Sequence, residues 1–376
     1  MRPLLLLLLS VASPALHAQQ GALPAAPAIA AKAWLLLDFN SGQTLAAHNP
    51  QQRVEPASLT KLMTAYLTFG ALKQKQIRPD QVVHASLNAW RAEGSRMFLE
   101  PNKPVTVDEL LRGMIIQSGN DASIALAEVV AGSEEVFAQM MNREAQRLGM
   151  KNSNFVNATG LPQPQHYSTA YDLALVAAAI IRDFPEYYPL YSQKEFRYNN
   201  ISQSNRNRLL WTDPTVDGMK TGYTEGAGYC LISSAKRGER RLVSVLLGAG
   251  SEALRAAESQ KLLNHGFQTS DSVRLYPGNQ PVATLQVFKG AANSVKAGFL
   301  SDLYVTLPRG QGGSLKATLE SLQPLLAPIG AGQRIGTMKL TLDGKPYLEL
   351  PVVALEGVSI AGVFGRGWDT LRLLFR

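Results

Sequence analysis

Ser58-Leu59-Thr60-Lys61 sets a hydroxyl and an amine three residues apart, just after Pro56. On a helix start that spacing brings both groups to one face. A serine hydroxyl attacks a carbonyl only when a neighbour takes its proton, and a lysine takes it only where burial or a second cation disfavours the ammonium form. Lys220, far along the chain, is a candidate for that cation. The pair alone is weak, because a surface Ser and Lys share this spacing by chance. Two later elements add weight. Ser118-Gly119-Asn120 stands between two helical stretches, where a hydroxyl can relay a proton and an amide can hold a carbonyl. Lys220-Thr221-Gly222 lies on a strand, where Gly222 lets a ligand backbone approach the edge while Lys220 and Thr221 face an anionic group. Each element alone reads as a capping turn or a strand end. In this order, on a helix start, a helix break and a strand, they match a serine acyl-transfer pattern, with Gly119 replacing the aspartate of S-D-N.

Other chemistries find less support. The five histidines, His17, His48, His84, His166 and His265, are isolated, with no H-E-x-x-H, so neither a metal site nor a zinc peptidase is expected. No G-x-S-x-G elbow occurs, and His166 reads as a loop contact. Cys230 is the sole cysteine, so no internal disulfide forms; in its apolar strand it reads as a small buried side chain. Trp34, Trp90 and Trp211 read as core or cleft packing.

The elements that position these residues follow from periodicity. Residues 33–39 and 43–47 alternate as two strands around Asn40-Ser41-Gly42. Leu59, Leu62, Met63, Tyr66 and Leu67 recur with helical spacing and predict one buried face. Further helices are expected at 110–116, 122–131, 134–148 and 169–183, making the middle all-helical. Strands return at 216–221, 228–235 and 241–248, with a turn at 236–239, and a helix closes the region at 252–267. The two early strands can join the three late ones in one antiparallel sheet flanked by helices. Past Asp271, short alternating runs and the Asp343-Gly344 turn signal predict a small all-β domain.

The 376 residues and 45% apolar content fit two folded units. Arg2, the run Leu4 to Leu9 and the small residues up to Ala18 read as a secretory signal at 1–18, followed by a Pro/Ala-rich linker at 19–31. The expectation is an exported, periplasmic protein. The net charge of +8 is scattered, which speaks against nucleic acid and suits a carboxylate-bearing polymer or an anionic membrane surface. At the other end, Phe364, Trp368, Leu371 and Phe375 fall on one side of a helical wheel, with Arg366, Asp369, Thr370 and Arg376 opposite and Leu373 the exception. Residues 361–376 are therefore expected to form an amphipathic tail lying on the outer face of the inner membrane.

Around the three motifs the chain resembles the low-molecular-mass penicillin-binding D-alanyl-D-alanine carboxypeptidases of the penicillin-binding protein 5/6-like subgroup. The similarity runs through residues 55–64 (EPASLTKLMT), 113–122 (GMIIQSGNDA), 205–211 (NRNRLLW), 216–222 (VDGMKTG) and 364–369 (FGRGWD). It implies an α/β serine β-lactamase/transpeptidase-like domain at 32–269, an antiparallel sheet flanked by helices plus an all-helical region, then a β-sandwich domain at 270–360. It further implies Ser58 as acylated nucleophile, Lys61 as its base, Ser118 as proton relay, Asn120 as amide clamp and Lys220 as electrostatic partner. Thr221 and Gly222 would bind substrate, the backbone N–H groups of Ser58 and Tyr223 would form the oxyanion hole, and Arg255 would orient Lys220 and the substrate carboxylate. The implied reaction removes the terminal D-alanine from peptidoglycan pentapeptide stems, needs no cofactor, and is blocked by β-lactams that acylate Ser58. The chain departs from relatives at Ser123 and Cys230, where Cys and Asn are usual, at Tyr223, and along 85–97. A class A β-lactamase is disfavoured because none of Glu128, Glu134, Glu135, Glu144, Glu186 and Glu195 sits in the usual glutamate-asparagine setting, and intact Ser58, Lys61 and Lys220 speak against a wall-binding scaffold.

Overall fold

The structure, a computed structural model, describes residues 23–362; the signal at 1–18 and the amphipathic stretch from Phe364 lie outside the described residues. Two compact units emerge, Pro24–Ser272 and one beginning at Val273.

In the first unit, β1 (Ala33–Asp38) and β2 (Thr44–His48) form the opening hairpin. The turn is held by buried Asp38, whose Oδ1 accepts from the backbone of Asn40 and Ser41 while Oδ2 pairs with Arg240 at 2.9 Å. Next come a 3₁₀ turn at Ala57–Thr60, α1 (Lys61–Lys73), β3 (Val82–His84), α2 (Leu87–Trp90), β4 (Pro104–Thr106), α3 (Val107–Ile116), α4 (Asn120–Ala131), α5 (Glu134–Leu148) and α6 (Ala170–Asp183). Then follow β5 (Glu195–Tyr198), β6 (Ile201–Ser204), α7 (Leu209–Thr212), β7 (Val216–Thr224), β8 (Gly228–Arg237), β9 (Arg240–Ala249) and α8 (Glu252–Thr269).

The main sheet runs β2-β1-β9-β8-β7, with antiparallel neighbours throughout, as the two-plus-three strand arrangement anticipated. β1 is buried at every position, which its continuous Ala-Trp-Leu-Leu-Leu run explains: a central strand is covered on both faces. Alternation divides those faces. Leu35, Leu37, Val243 and Val245 join the cluster around α1, whereas Leu36 and Leu242 lie against Gly266 of α8, where a Cβ would stand 2.8 and 2.7 Å from them.

Two expectations need correction. The middle is not all-helical: β3 pairs with β4, and β5 with β6, strands of three and four residues that are too short for alternation to register. Nor does α1 bury a single face. It is buried nearly all round because α3, α4, α5 and α6 all contact it, and its small Thr64, Ala65, Thr68 and Ala71 fill the positions that a surface helix would make charged.

The second unit is all-β, with β10 (Ser270–Tyr276) at its border. It contains β11 (Pro281–Phe288), β12 (Ser294–Gly298), β13 (Leu303–Pro308), β14 (Leu315–Ser321), β15 (Leu325–Leu326), β16 (Arg334–Leu342) and β17 (Lys345–Ala354). Six strands form one sheet, β14-β16-β17-β12-β11-β15, and β10 pairs with β13. Ile335, Met338, Leu340 and Leu342 enter a separate apolar cluster. Asp343 and Gly344 both take positive φ between β16 and β17, the conformation that a tight hairpin demands and that this dipeptide favours.

Candidate active site

Ser58 sits within the 3₁₀ turn and Lys61 begins α1, so the tightened turn brings their side chains together. Ala57, the residue before Ser58, has φ +47°, a conformation enriched at functional sites. Gly160 (φ +86°) packs on the Ala57 carbonyl so closely that any side chain there would displace the turn. Lys61 is 1% exposed; its Nζ lies 2.9 Å from Ser58 Oγ, 2.7 Å from Asn120 Oδ1 and 2.6 Å from the Thr159 carbonyl. The Asn157 side chain orients that carbonyl by accepting from the backbone of Thr159 and Gly160. Burial lowers the Lys61 pKa to about 7, the Arg206 charge pushes the same way, and Asp121 opposes them.

Ser118-Gly119-Asn120 does occupy the break between α3 and α4. Ser118 takes φ +65° and accepts from Lys220 Nζ at 2.8 Å; the same ammonium reaches the Thr221 carbonyl at 3.0 Å. Burial, then the Lys61 charge, pulls the Lys220 pKa well below its ordinary value. Arg206 is thus a further cation that disfavours the ammonium form of Lys61, beside the repulsion that the two neighbouring lysines exert on each other. Asn120 faces two ways, donating from Nδ2 to the Glu93 carbonyl at 2.6 Å while Oδ1 accepts from Lys61. Gly119 has a local cause: a Cβ there would stand 2.8 Å from Asp121 Oδ1 and 3.1 Å from the Met97 nitrogen.

β7 is the edge strand of the main sheet and runs along the Ser58 turn. A Cβ on Gly222 would lie 3.3 Å from the Ser58 nitrogen, so glycine is what lets strand and turn meet. Ser58, Ser118, Asn120, Thr221, Gly222, Tyr223 and Arg255 line one cleft of about 540 Å³, while Lys61 and Lys220 are buried and reach its two serines. All nine residues that the sequence put forward for the site thus converge here. Arg255 is buried rather than solvated, its guanidinium 5.7 Å from the Tyr229 ring, and Tyr223 is half exposed with its ring 4.4 Å from that of Tyr229.

A sequence model of the D-alanyl-D-alanine carboxypeptidase family matches residues 20–251, and one of the penicillin-binding protein 5 C-terminal domain matches 271–359. The chain belongs to the D-alanyl-D-alanine carboxypeptidase family. It is 44% identical over 358 residues to D-alanyl-D-alanine carboxypeptidase DacC of Escherichia coli, covering 93% of this chain and 90% of that one. The crystal structure of penicillin-binding protein 5 from Haemophilus influenzae superposes with a TM-score of 0.85 at 42% identity, covering 89% of this chain and 98% of that chain. Penicillin-binding protein D2 from Listeria monocytogenes, in its ampicillin-bound form, is 30% identical with a TM-score of 0.59 over 64% of this chain and 98% of its own. The chain is accordingly a serine-type D-alanyl-D-alanine carboxypeptidase with a transpeptidase-like domain and a C-terminal all-β domain.

Several parts of this carboxypeptidase site escaped the sequence. Arg206 stood inside the noted 205–211 segment without a role, and the carbonyls of Glu93, Ser95 and Thr159 are backbone groups that no residue type announces. His166 is a loop contact as expected: Nε2 lies 2.8 Å from Thr60 Oγ1, Nδ1 accepts from Val156, and burial lowers its pKa to about 4. Cys230 is fully buried and its thiol is pushed up to about 11. Trp34 is buried, but Trp90 and Trp211 are 42% and 48% exposed, which corrects their reading as packing residues. Both sit on four-residue helices that bury other residues instead, Ala89 in one and Leu209 and Leu210 in the other. Among the described residues no three His, Cys, Asp or Glu side chains gather as a metal site.

Proposed function

We propose that Ser58 is the acylated nucleophile and that neutral Lys61 is its base. The Ser58 Oγ proton passes to Lys61 Nζ as Oγ attacks the penultimate D-alanine carbonyl of a peptidoglycan pentapeptide stem. The N–H groups of Ser58 and Tyr223 would receive the oxyanion, a contribution typically worth about 10²–10³ in rate. Ser118, its hydroxyl held by Lys220, relays the proton taken up by Lys61 to the departing amine; the carbon–nitrogen bond breaks, terminal D-alanine leaves, and water, giving a proton to the restored Lys61 amine, hydrolyses the Ser58 ester. Asn120 and the open edge of β7 hold the peptide, while Thr221 and Arg255 meet its terminal carboxylate. The observation that carries this reading is the buried Lys61 amine, 2.9 Å from Ser58 Oγ and with its pKa lowered to about 7.

The same attack on a β-lactam opens the ring and leaves the expelled nitrogen tethered to the acyl group, so the adduct persists. The ampicillin-bound Listeria relative supports this extension. The reading includes a catalytic domain at 32–269, a β-domain at 270–360, export by the 1–18 signal, and a periplasmic protein held peripherally to the inner membrane by the 361–376 tail. Release of D-alanine from an N-acylated pentapeptide tests the catalytic part: Ser58→Ala should lower it at least about 10³-fold. Unchanged release would contradict the assignment.

A further inference from the structure

Among the described residues lining the cleft, Glu252 is the single acidic side chain; Arg206 and Arg255 share that lining. Glu252 is the first residue of α8, directly after the Ser251 cap, where the helix dipole favours a carboxylate. Its Oε1 stands between two guanidiniums, 3.0 Å from Arg208 Nε and 3.6 Å from Arg255 Nη2. The two partners differ in setting. The Arg208 side chain is 62% exposed and the Arg255 side chain 6%. Apart from Glu252, Arg255 has long bonds to the carbonyls of Gly222 at 3.5 Å and Arg206 at 3.4 Å, and the Tyr229 ring beside it. Burial pulls the Arg255 pKa down, and the Glu252 charge opposes that pull. A ligand carboxylate that approaches Arg255 therefore meets a resident carboxylate already paired with it, in a partly desolvated wall where like charges repel strongly.

We propose that Glu252 is a specificity-determining residue at the leaving-group end of the cleft. Its pairing with Arg255 sets the affinity for the terminal carboxylate, and Arg208 sets how much of Glu252 that pairing receives. The proposal rests on the reading that Arg255 meets the terminal carboxylate. Glu252 weakens ground-state binding, hastens departure of the D-alanine product, and disfavours ligands with a second anionic group at that end.

The test is steady-state kinetics of the full chain on an N-acylated peptide ending in D-alanyl-D-alanine, with stoichiometric labelling by a fluorescent penicillin showing that each variant is folded. Glu252→Gln should lower KM about 2–5-fold with kcat moving less, because a half-exposed ion pair carries an energy of that order. Arg208→Ala should raise KM about twofold by turning Glu252 wholly toward Arg255, and should have no effect in the Glu252→Gln background. A KM that stays level or rises in Glu252→Gln overturns the proposal. So does an Arg208→Ala effect of equal size in both backgrounds, which would be the effect of a distant charge. Arg255→Lys separates the two layers. If its KM does not move, the carboxylate reading itself fails; if its KM rises while Glu252→Gln is silent, only the role of Glu252 fails.

Discussion

At the scale of single residues, the proposed base is a lysine suited to that role by where it lies. Burial lowers the Lys61 pKa to about 7, with Arg206 adding to the effect. A lowered amine pKa means that the base form is lost as pH falls through that value and is fully present above it. Acylation by a β-lactam should therefore rise with pH and level off above about 7; a stopped-flow profile that is flat, or that falls with rising pH, would contradict this. Arg206→Gln should move the rising limb to higher pH, since a cation that disfavours the ammonium is gone. Lys61→Ala should slow acylation about 10²–10⁴-fold. That Ser58, Lys61, Ser118, Asn120 and Lys220 gather at one cleft was legible because their residue types are reactive or polar and their order is distinctive. Arg206 was not, because its effect depends on burial beside Lys61, which no local pattern states.

At the scale of elements, the loop beside the cleft is tied to α4 by one carboxylate. Asp121, 1% exposed, accepts from the backbone nitrogens of Met97, Phe98, Leu99 and Ala122 at 2.9 to 3.1 Å. The backbone of its neighbour Asn120 donates to the Ser95 carbonyl at 2.7 Å. Asp121→Ala leaves those four donors without their acceptor. It should cost about 2–4 kcal/mol in denaturant unfolding and slow acylation by loosening Asn120. Stability within about 0.5 kcal/mol of the parent would show that the carboxylate does not organise this loop. The sheet, by contrast, was readable in advance. The apolar run of β1 and the strands β7, β8 and β9, nine or ten residues each, are long enough to register, whereas β3 to β6 are not. The segment 85–97 gave no period because turns, a helix of only four residues and backbone contacts to Asn120 and Asp121 shape it.

At the scale of the whole molecule, each unit carries its own apolar cluster, and none of the described helices is long and apolar enough to cross a membrane. The domain count was legible in the length and in the change of texture near Asp271; the strand order of the β-unit was not, since short alternating strands admit many pairings. The proposed attachment to a membrane rests on the 361–376 tail and the +8 charge, and predicts that the chain co-sediments with anionic vesicles reversibly and with salt sensitivity. A chain ending at residue 360 should stay in the supernatant, and equal sedimentation of the two would remove the tail from the account. The central claim is that Ser58, activated by Lys61, forms a covalent acyl-enzyme. It is tested most directly by the mass of the intact protein after brief exposure to penicillin, followed by peptide mapping. One added penicillin mass on the peptide bearing Ser58, absent from Ser58→Ala, is the result expected; no adduct, or an adduct on another residue, would contradict it.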